Sequence, residues 1–389
     1  MTSSTRPARI GIGMIGYAFM GAAHSQAWRT AHRVFDVPLE PDMVALCGRD
    51  RDKTEAAAGK LGWRVAESQW RRVIDRDDVD VIDICTPGDT HAEIAIAALE
   101  AGKHVLCEKP LANSVEEAVA MTEAADRAQA AGVRSMVAFN YRRVPALALA
   151  RKLVADGRLG TIRHVRAQYL QDWILDPEFP LVWRLDREKA GSGALGDIGA
   201  HIIDLAQFLT GSRITGVSGL TETFITERPL VGSASGERGT VTVDDAALFH
   251  ARFDSGAIGS FEATRLAGGR KNSMRIELNG SLGSLAFDFE SMNELSFHDH
   301  TDDPATAGFR RILVTEPTHP YLSAWWPPGH ALGYEHSFTH EVYDFLTAIA
   351  GGHDPEPSFA DGLQVQRVLA AVETSAAANS VWTAIGEPR

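Results

Sequence analysis

The sequence predicts an α/β fold. An N-terminal Rossmann doubly wound parallel sheet is followed by a C-terminal α+β domain with a large, mostly antiparallel open sheet. Three observations predict it. A glycine-rich turn, Gly13-Met14-Ile15-Gly16-Tyr17-Ala18-Phe19-Met20-Gly21, separates an apolar run from a helical one. Strand and helix patterns then alternate through residues 1–140, as repeated β-α units do. From about Ile214 to Val314, strand-like runs succeed one another with turn signals and no long helical pattern, which calls for one largely antiparallel sheet. At 389 residues the chain is too long for one ordinary core and suits two domains, 1–140 and 141–389.

The elements follow in order. Ile10 to Ile15 alternates with glycine and reads as a buried strand, and Ala22 to Trp28 reads as a helix. Met43 to Cys47 is the second strand, and the alanine-rich run Thr54 to Leu61 is a helix closed by Gly62. Val79 to Cys85 alternates apolar and acidic residues and stops at Thr86-Pro87-Gly88. His91 to Ala101 is an amphipathic helix ending at Gly102, and His104 to Cys107 is a short strand. Ser114-Val115-Glu116-Glu117 is a capping box that opens a helix to about Ala131. Met136 to Phe139 is the next strand. Leu147 to Ala155 and Ile198 to Leu209 then read as helices, and Ile162 to Tyr169 as a strand. Further strands are expected at Val241 to Val243, Ala247 to Phe253, Ala257 to Ala263, Met274 to Leu278 and Ser284 to Phe289. Ser233 to Gly239 and Asp299 to Gly308 read as loops, and helices at about Glu335 to Ala350 and Leu363 to Ser380 close the chain.

Composition excludes several classes of function. A formal net charge of −13, without a basic block, makes a poor nucleic-acid binder and is repelled by anionic membranes. No run of about 18 apolar residues occurs, and Met1 to Arg9 is polar without an apolar core, so a cytoplasmic protein is expected. Cys47, Cys85 and Cys107 form no CxxC pair and fall near the ends of apolar strands, where cysteine is a small buried residue.

Four motifs carry chemistry. A glycine turn between strand and helix brings backbone N–H groups and a helix N-terminus to one point, which suits a pyrophosphate. The register Gly11, Gly13, Gly16 places two glycines inside the strand, whereas Gly16, Ala18, Gly21 places the turn at its end; the second is preferred. Glu108-Lys109-Pro110 ends the strand His104 to Cys107, and Thr86-Pro87-Gly88-Asp89-Thr90-His91 ends the strand before it, so both face the crevice in which doubly wound sheets bind ligands. Asp197 and His201 are four apart and share one helix face; a histidine oriented by an aspartate can take the proton of an alcohol, although a helix cap and a half-buried histidine would look the same. His336 and His340 are also four apart, but no third ligand accompanies them at a typical spacing, and no metal is expected.

The second strand leads into Gly48-Arg49-Asp50. Glycine stands where NAD-specific domains carry an acid for the ribose hydroxyls. Arg49 could meet a 2′-phosphate, which leans the expectation towards NADP, and Asp50 keeps NAD open.

In this order the Gly16 turn, Glu108-Lys109-Pro110 and the Asp197–His201 pair resemble the Gfo/Idh/MocA oxidoreductase family over essentially the whole chain. Phe139-Asn140-Tyr141-Arg142-Arg143, Leu170-Gln171-Asp172-Trp173, Val182-Trp183-Arg184, Ser192 to Asp197 and Ser358 to Gly362 are similar to its sugar 3-dehydrogenases. The resemblance implies reversible hydride transfer between nicotinamide and a ring hydroxyl of a sugar, anhydrosugar or cyclitol. It implies Lys109, Asp197 and His201 as the catalytic set, with His201 the base. It implies a dinucleotide held by Gly16, Ala18, Phe19, Met20, Gly48, Arg49, Asp50, Thr86, Pro87, Thr90, His91, Glu108, Lys109, Trp183 and Arg184. The substrate would meet Tyr141, Gln171, Asp172, Trp173 and Arg184 besides the catalytic set, and the protein would be a homodimer or homotetramer. An NAD-dependent glycoside hydrolase on the same scaffold, or a dinucleotide or sugar sensor without catalysis, are the alternatives.

Overall fold

A computed structural model describes residues 7–233 and 236–386. Most of the polar start of the chain and positions 234–235 of the expected loop lie outside the described residues. The chain divides into two compact units. The first comprises residues 1–112, 116–143 and 332–363, and the second 113–115, 144–331 and 364–389. The chain thus leaves the first unit after residue 143 and returns to it at 332–363, beyond the single cut expected at residue 140.

The first unit is built on a six-stranded parallel sheet. Its elements are β1 (Ala8–Ile15), α1 (Phe19–Val34), β2 (Leu39–Cys47), α2 (Arg51–Leu61), β3 (Val65–Glu67), α3 (Trp70–Ile74), β4 (Val81–Ile84), α4 (His91–Glu100), β5 (His104–Cys107), α5 (Val115–Gln129) and β6 (Ser135–Val137). The strand order is β3-β2-β1-β4-β5-β6, so the winding reverses between β1 and β4. Ile15 pairs with Cys47 and Ile84, and Ile84 with Cys107. All four strands thus stop at one level, and Gly16, Gly48, Cys85 and Glu108 begin the loops along a single sheet edge. The central strands are buried at successive positions, Asp83 of β4 included, as in a sheet covered on both faces.

The returning segment packs against α1 as helix α9 (His336–Gly351). Phe35 stacks on Tyr343 with ring centroids 4.3 Å apart, and Phe338 lies over His24 at 5.3 Å. Glu341, on the buried face of α9, is only 1 % exposed. Burial pushes its carboxyl up to about 8; Arg143 and His24 pull it down, and Glu108 and Asp83 add to the rise. The unfolded chain ionises this group near 4.5. Between those two values the unfolded chain has lost a proton that the native protein keeps, so stability falls as pH rises. Glu341→Gln should therefore outlast the wild type by a margin that grows from pH 5 to pH 8 and reaches about 4 kcal/mol. Thermal melts across that range check it; parallel curves would refute the assignment.

The second unit is built on a nine-stranded sheet. Its elements are α6 (Pro145–Ala155), β7 (Ile162–Leu170), α7 (Arg187–Ala190), α8 (Ala200–Thr210), β8 (Ile214–Glu222), β9 (Glu227–Pro229), β10 (Arg238–Thr240), β11 (Ala246–Phe253), β12 (Ile258–Thr264), β13 (Ser273–Gly280), β14 (Gly283–Asp288), β15 (Glu294–Asp299), β16 (Arg310–Leu313) and β17 (Thr383–Ala384). Helix α10 (Phe359–Ala377) precedes the last strand. The order is β16-β15-β14-β13-β7-β12-β11-β8-β17. Every pair is antiparallel except β7 with β12. One face buries the alternating positions Phe249, Phe261, Ala167 and Ile276; the opposite face leaves Leu220, Leu248 and Ile258 about half exposed.

Three local expectations change. Val241 to Val243 is not a strand; Val241 and Val243 are buried in a small cluster with Ile174 and Leu185, which satisfies the apolar alternation without a ladder. Part of the loop Ser233 to Gly239 pairs as β10 with β9. The helix expected from Ile198 begins three residues earlier, as a wide turn over Leu195–Gly199 that runs into α8.

Candidate active site

The Gly16 turn has the form a dinucleotide needs. β1 runs through Gly11 and Gly13 to Ile15, so the turn that follows carries Gly16, Ala18 and Gly21. Gly16 has φ of +99°, and a Cβ there would lie 2.6 Å from the Cys85 carbonyl oxygen. Ala18 caps α1 without a side-chain hydrogen bond, and the first turn of α1 carries no acidic residue. The first N–H groups of the helix are thus left for an outside acceptor, and the positive end of its dipole faces the same way. Ala18 and Phe19 are exposed and Met20 is half-buried. This cradle fits a pyrophosphate.

Gly48 is glycine for a reason the sequence hides. A Cβ there would come within 2.0 Å of Tyr17 Cε1 and 2.8 Å of Thr54 Oγ1, so the Tyr17 ring occupies the place of a side chain after β2. Tyr17 lines this end of the cradle and was not among the expected site residues. Arg49 is exposed. Asp50 caps α2, accepting the Lys53 backbone N–H at 3.1 Å. That hydrogen bond, with the Lys53 ammonium, holds its carboxyl below the usual range.

Two of the expected cofactor contacts, His91 and Glu108, are buried and hold protein partners. His91 is 1 % exposed. Its Nε2 lies 2.9 Å from the Thr86 carbonyl and its Nδ1 3.1 Å from the Pro110 carbonyl, so the ring staples the loop after β4 to the loop after β5. Glu108 is also buried, and one carboxyl oxygen lies 3.0 Å from His24 Nε2. Thr86 and Thr90 join hydroxyls at 2.7 Å, half-buried like Pro87 and Lys109. Tyr141 is 3 % exposed in a short turn over Asn140–Arg143.

His24, Asp83 and Cys85 bring their ligand atoms together in the core. Trp28 Nε1–H donates to Asp83 Oδ2 at 2.6 Å, and an N–H aimed at that oxygen suits a hydrogen-bonded cluster rather than a cation. All three cysteines are free and buried, and burial pushes the Cys47 thiol up to about 12. His336 and His340 serve separate partners. His340 Nδ1 lies 2.9 Å from the Arg143 carbonyl, and burial drives its ring down to about 3. His336 Nδ1 sits 3.5 Å from Glu335.

In the second unit some of the side chains named from the sequence are joined into one set by others. Asp197 sits in the wide turn and His201 in the first turn of α8. Wide turns of this kind insert an extra residue and re-aim a side chain, often at functional sites. The turn is latched from Asp244, whose carboxyl oxygens accept the Gly193 and Leu195 N–H groups at 2.7 and 2.8 Å. Burial raises the Asp244 carboxyl above its ordinary range even though those two N–H groups favour its charge. Asp197 Oδ2 lies 3.4 Å from Nη1 of Arg265, a guanidinium with no exposed surface. Arg265 stands 5.5 Å from the Trp173 ring. Trp173 Nε1–H donates to Gln171 at 3.0 Å, and Gln171 Nε2–H donates to Asn272 Oδ1 at 2.8 Å. The Tyr169 hydroxyl donates to the same Asn272 oxygen at 2.7 Å, and its ring lies 5.9 Å from His201. A run of polar and aromatic contacts thus leads from Asp197 to His201.

Arg265, Tyr169 and Asn272 were not expected from the sequence. Asp172 is turned away to Lys271 Nζ at 2.8 Å and the Gly269 N–H at 3.0 Å, which hold its carboxyl below the usual range. The Arg184 guanidinium lies 4.4 Å over the Trp183 ring.

Comparison with known proteins bears on this arrangement. Residues 10–138 match the family model described as an oxidoreductase family, NAD-binding Rossmann fold, and residues 147–286 match the GFO/IDH/MocA C-terminal domain. Levoglucosan dehydrogenase of Pseudarthrobacter phenanthrenivorans is 43% identical over 383 residues, covering 95% of this chain and 97% of its own. A crystal structure of an oxidoreductase domain protein from Kribbella flavida is 70% identical with a TM-score of 0.96, covering 98% of this chain and 100% of that one. A levoglucosan dehydrogenase structure in complex with NADH and levoglucosan has a TM-score of 0.93 at 43% identity, covering 97% and 100%.

Proposed function

Because this chain belongs to the GFO/IDH/MocA oxidoreductase family, we propose that it oxidises a ring hydroxyl of a sugar, anhydrosugar or cyclitol, with levoglucosan the first substrate to try. The observation that carries this reading is the Asp197–His201 pair set among Trp173, Gln171, Tyr169 and Arg265. Aromatic faces cover the apolar face of a sugar ring, and the polar groups between them meet its hydroxyls. The Gly16 turn and the start of α1 would hold the dinucleotide pyrophosphate. When bound, the nicotinamide supplies the hydride acceptor for the ring carbon. His201 takes the hydroxyl proton, Asp197 orients the substrate and His201, and Lys109 hydrogen-bonds the reacting oxygen and assists that transfer.

The coenzyme in this reading is NAD. The matched NAD-binding description and the NADH held by levoglucosan dehydrogenase support it. The lean to NADP rested on the absence of an acid at Gly48 and on Arg49 after it, and gains no support from the relatives. Gly48 leaves out the acid because Tyr17 fills its space, so the missing acid does not signal a 2′-phosphate. Replacing Arg49 with alanine should move KM for NADH by less than about twofold, since the side chain is exposed and surface contacts are weak. A selective loss of NADPH use in that variant would restore NADP.

The purified protein should accumulate reduced nicotinamide when given NAD and levoglucosan, followed by absorbance. Net accumulation also separates it from a hydrolase that only borrows the coenzyme. No signal across a panel of sugars and cyclitols would remove the reading. We extend it to a cytoplasmic homodimer or homotetramer joined through the sheet face that carries Leu220, Leu248 and Ile258, a size that light scattering measures directly.

A further inference from the structure

His24 lies one turn into α1, 1 % exposed, with a carboxyl group at each ring nitrogen. Nδ1 is 3.0 Å from both oxygens of Asp83, and Nε2 is 3.0 Å from Glu108 Oε1. A neutral imidazole has only one N–H, so in that form one of these contacts would set a ring lone pair against a carboxyl oxygen. A doubly protonated ring serves both. Burial, the largest single effect, pulls the imidazole down, but the charges and hydrogen bonds of Asp83 and Cys85 together hold the ring well above its ordinary range.

Both carboxyl groups are themselves tied. Trp28 Nε1–H donates to Asp83 Oδ2 at 2.6 Å, and the other oxygen of Glu108 accepts the Lys109 backbone N–H at 3.0 Å. One unbroken run of hydrogen bonds therefore links α1, the end of β4 and the residue from which the Lys109 side chain departs. Asp83 and Glu108 are 0% and 5% exposed, so little of the run is open to water. Desolvated networks of this kind have well-defined geometry because each unmade bond is expensive.

We propose that His24 is a positioning residue for the oxidoreduction: it holds Glu108, which in turn fixes the backbone at Lys109 and so the direction in which the lysine reaches. This rests on the role given above to Lys109. The ring faces Asp83 and Glu108 directly, with Cys85 beside Asp83, Phe338 over its face and Glu341 on α9 among the charged neighbours. His24 is buried within α1, beyond the first-turn N–H groups that face the cradle, so its loss should move turnover more than coenzyme affinity. Displacing a proton-transfer group by a fraction of an ångström to an ångström costs roughly tenfold to 10²-fold in rate.

The test compares His24→Gln, Glu108→Gln, the double variant and Lys109→Ala in the full-length enzyme. For each, kcat, sugar KM, NADH affinity by fluorescence and the thermal midpoint are measured. His24→Gln should lower kcat about tenfold or more, with NADH affinity within twofold, and the double variant should be no slower than the slower single one. A folded His24→Gln enzyme with wild-type kcat, or losses that multiply in the double variant, would overturn the proposal. If His24→Gln gives no cooperative melt, Glu108→Gln decides by the same kcat and affinity criteria. A Lys109→Ala enzyme with full turnover sinks the lysine's role itself, whereas an inactive Lys109→Ala beside a normal His24→Gln sinks only the role of His24.

Discussion

His201→Ala and Lys109→Ala are each expected to lower kcat by about 10² or more while dinucleotide affinity stays within twofold. The expectation follows from what each side chain touches. The pyrophosphate cradle proposed at the Gly16 turn and the start of α1 includes neither side chain. His201 is 7 % exposed, against Tyr169 and one turn beyond Asp197, a position suited to taking a proton and of little use for holding a phosphate. Without it the hydroxyl proton must leave to water while hydride departs, and the barrier rises by the contribution of one placed base. Lys109 sits half-buried at the end of β5, on the sheet edge shared with Gly16. Steady-state kinetics with NADH fluorescence titration separates the two effects. Wild-type turnover in either variant would remove that residue from the catalytic set, and a matching collapse of NADH affinity would make it a binding residue instead.

Arg265→Met should cost about 3 kcal/mol of stability and at least roughly tenfold in kcat. The guanidinium has no exposed surface, faces Asp197 at 3.4 Å, reaches the Asp244 carbonyl at 3.4 Å, and stands over Trp173 at 5.5 Å. Methionine keeps the bulk and removes the charge. Asp197 then loses its cation, and the wide turn loses the brace from the end of β12. Arg265→Lys should recover only part of the loss, because a point charge cannot make the forked contacts with two partners. Thermal melts and kcat measured on both variants decide it, and kcat within twofold of wild type in Arg265→Met would show that Asp197 needs no brace.

How much of this was legible in the sequence depends on how far each partner lies along the chain. The Gly16 register was legible because a glycine ending an apolar strand before a helix is a local signal, and the structure gives it the positive φ that requires glycine. β5 was legible to the residue, since Gly102 and Pro110 bracket it. The latch on the wide turn was not: Asp244 lies about fifty residues beyond Gly193 and Leu195, and Gly193, Gly196 and Gly199 look like loop punctuation. Arg265 was missed for a similar reason, because an arginine just past a strand ordinarily points to water. His24 had a readable clue. Asp83 stands in a strand whose neighbours are apolar and buried, and an acid in such a place demands a partner. That partner is 59 residues away, and His24 shares one helix face with Trp28, which also donates to Asp83. Gly48 misled because the Tyr17 ring beneath it comes from a different loop.

The return of residues 332–363 to the first unit governs the order in which this protein can be made. When residue 143 leaves the ribosome, the parallel sheet is complete, but α1 lacks α9, and Phe35 has neither His340 nor Tyr343 against it. Arg143, 4 % exposed in the finished protein, still waits for Asp344 at 3.0 Å. Nearly two hundred residues, with most of the second unit's large sheet among them, must be synthesised before that apolar flank is closed. The N-terminal part therefore passes through translation with an open hydrophobic side, the interval in which nascent chains associate wrongly or are taken up by chaperones. An expression fragment cut at residue 140 would make that interval permanent.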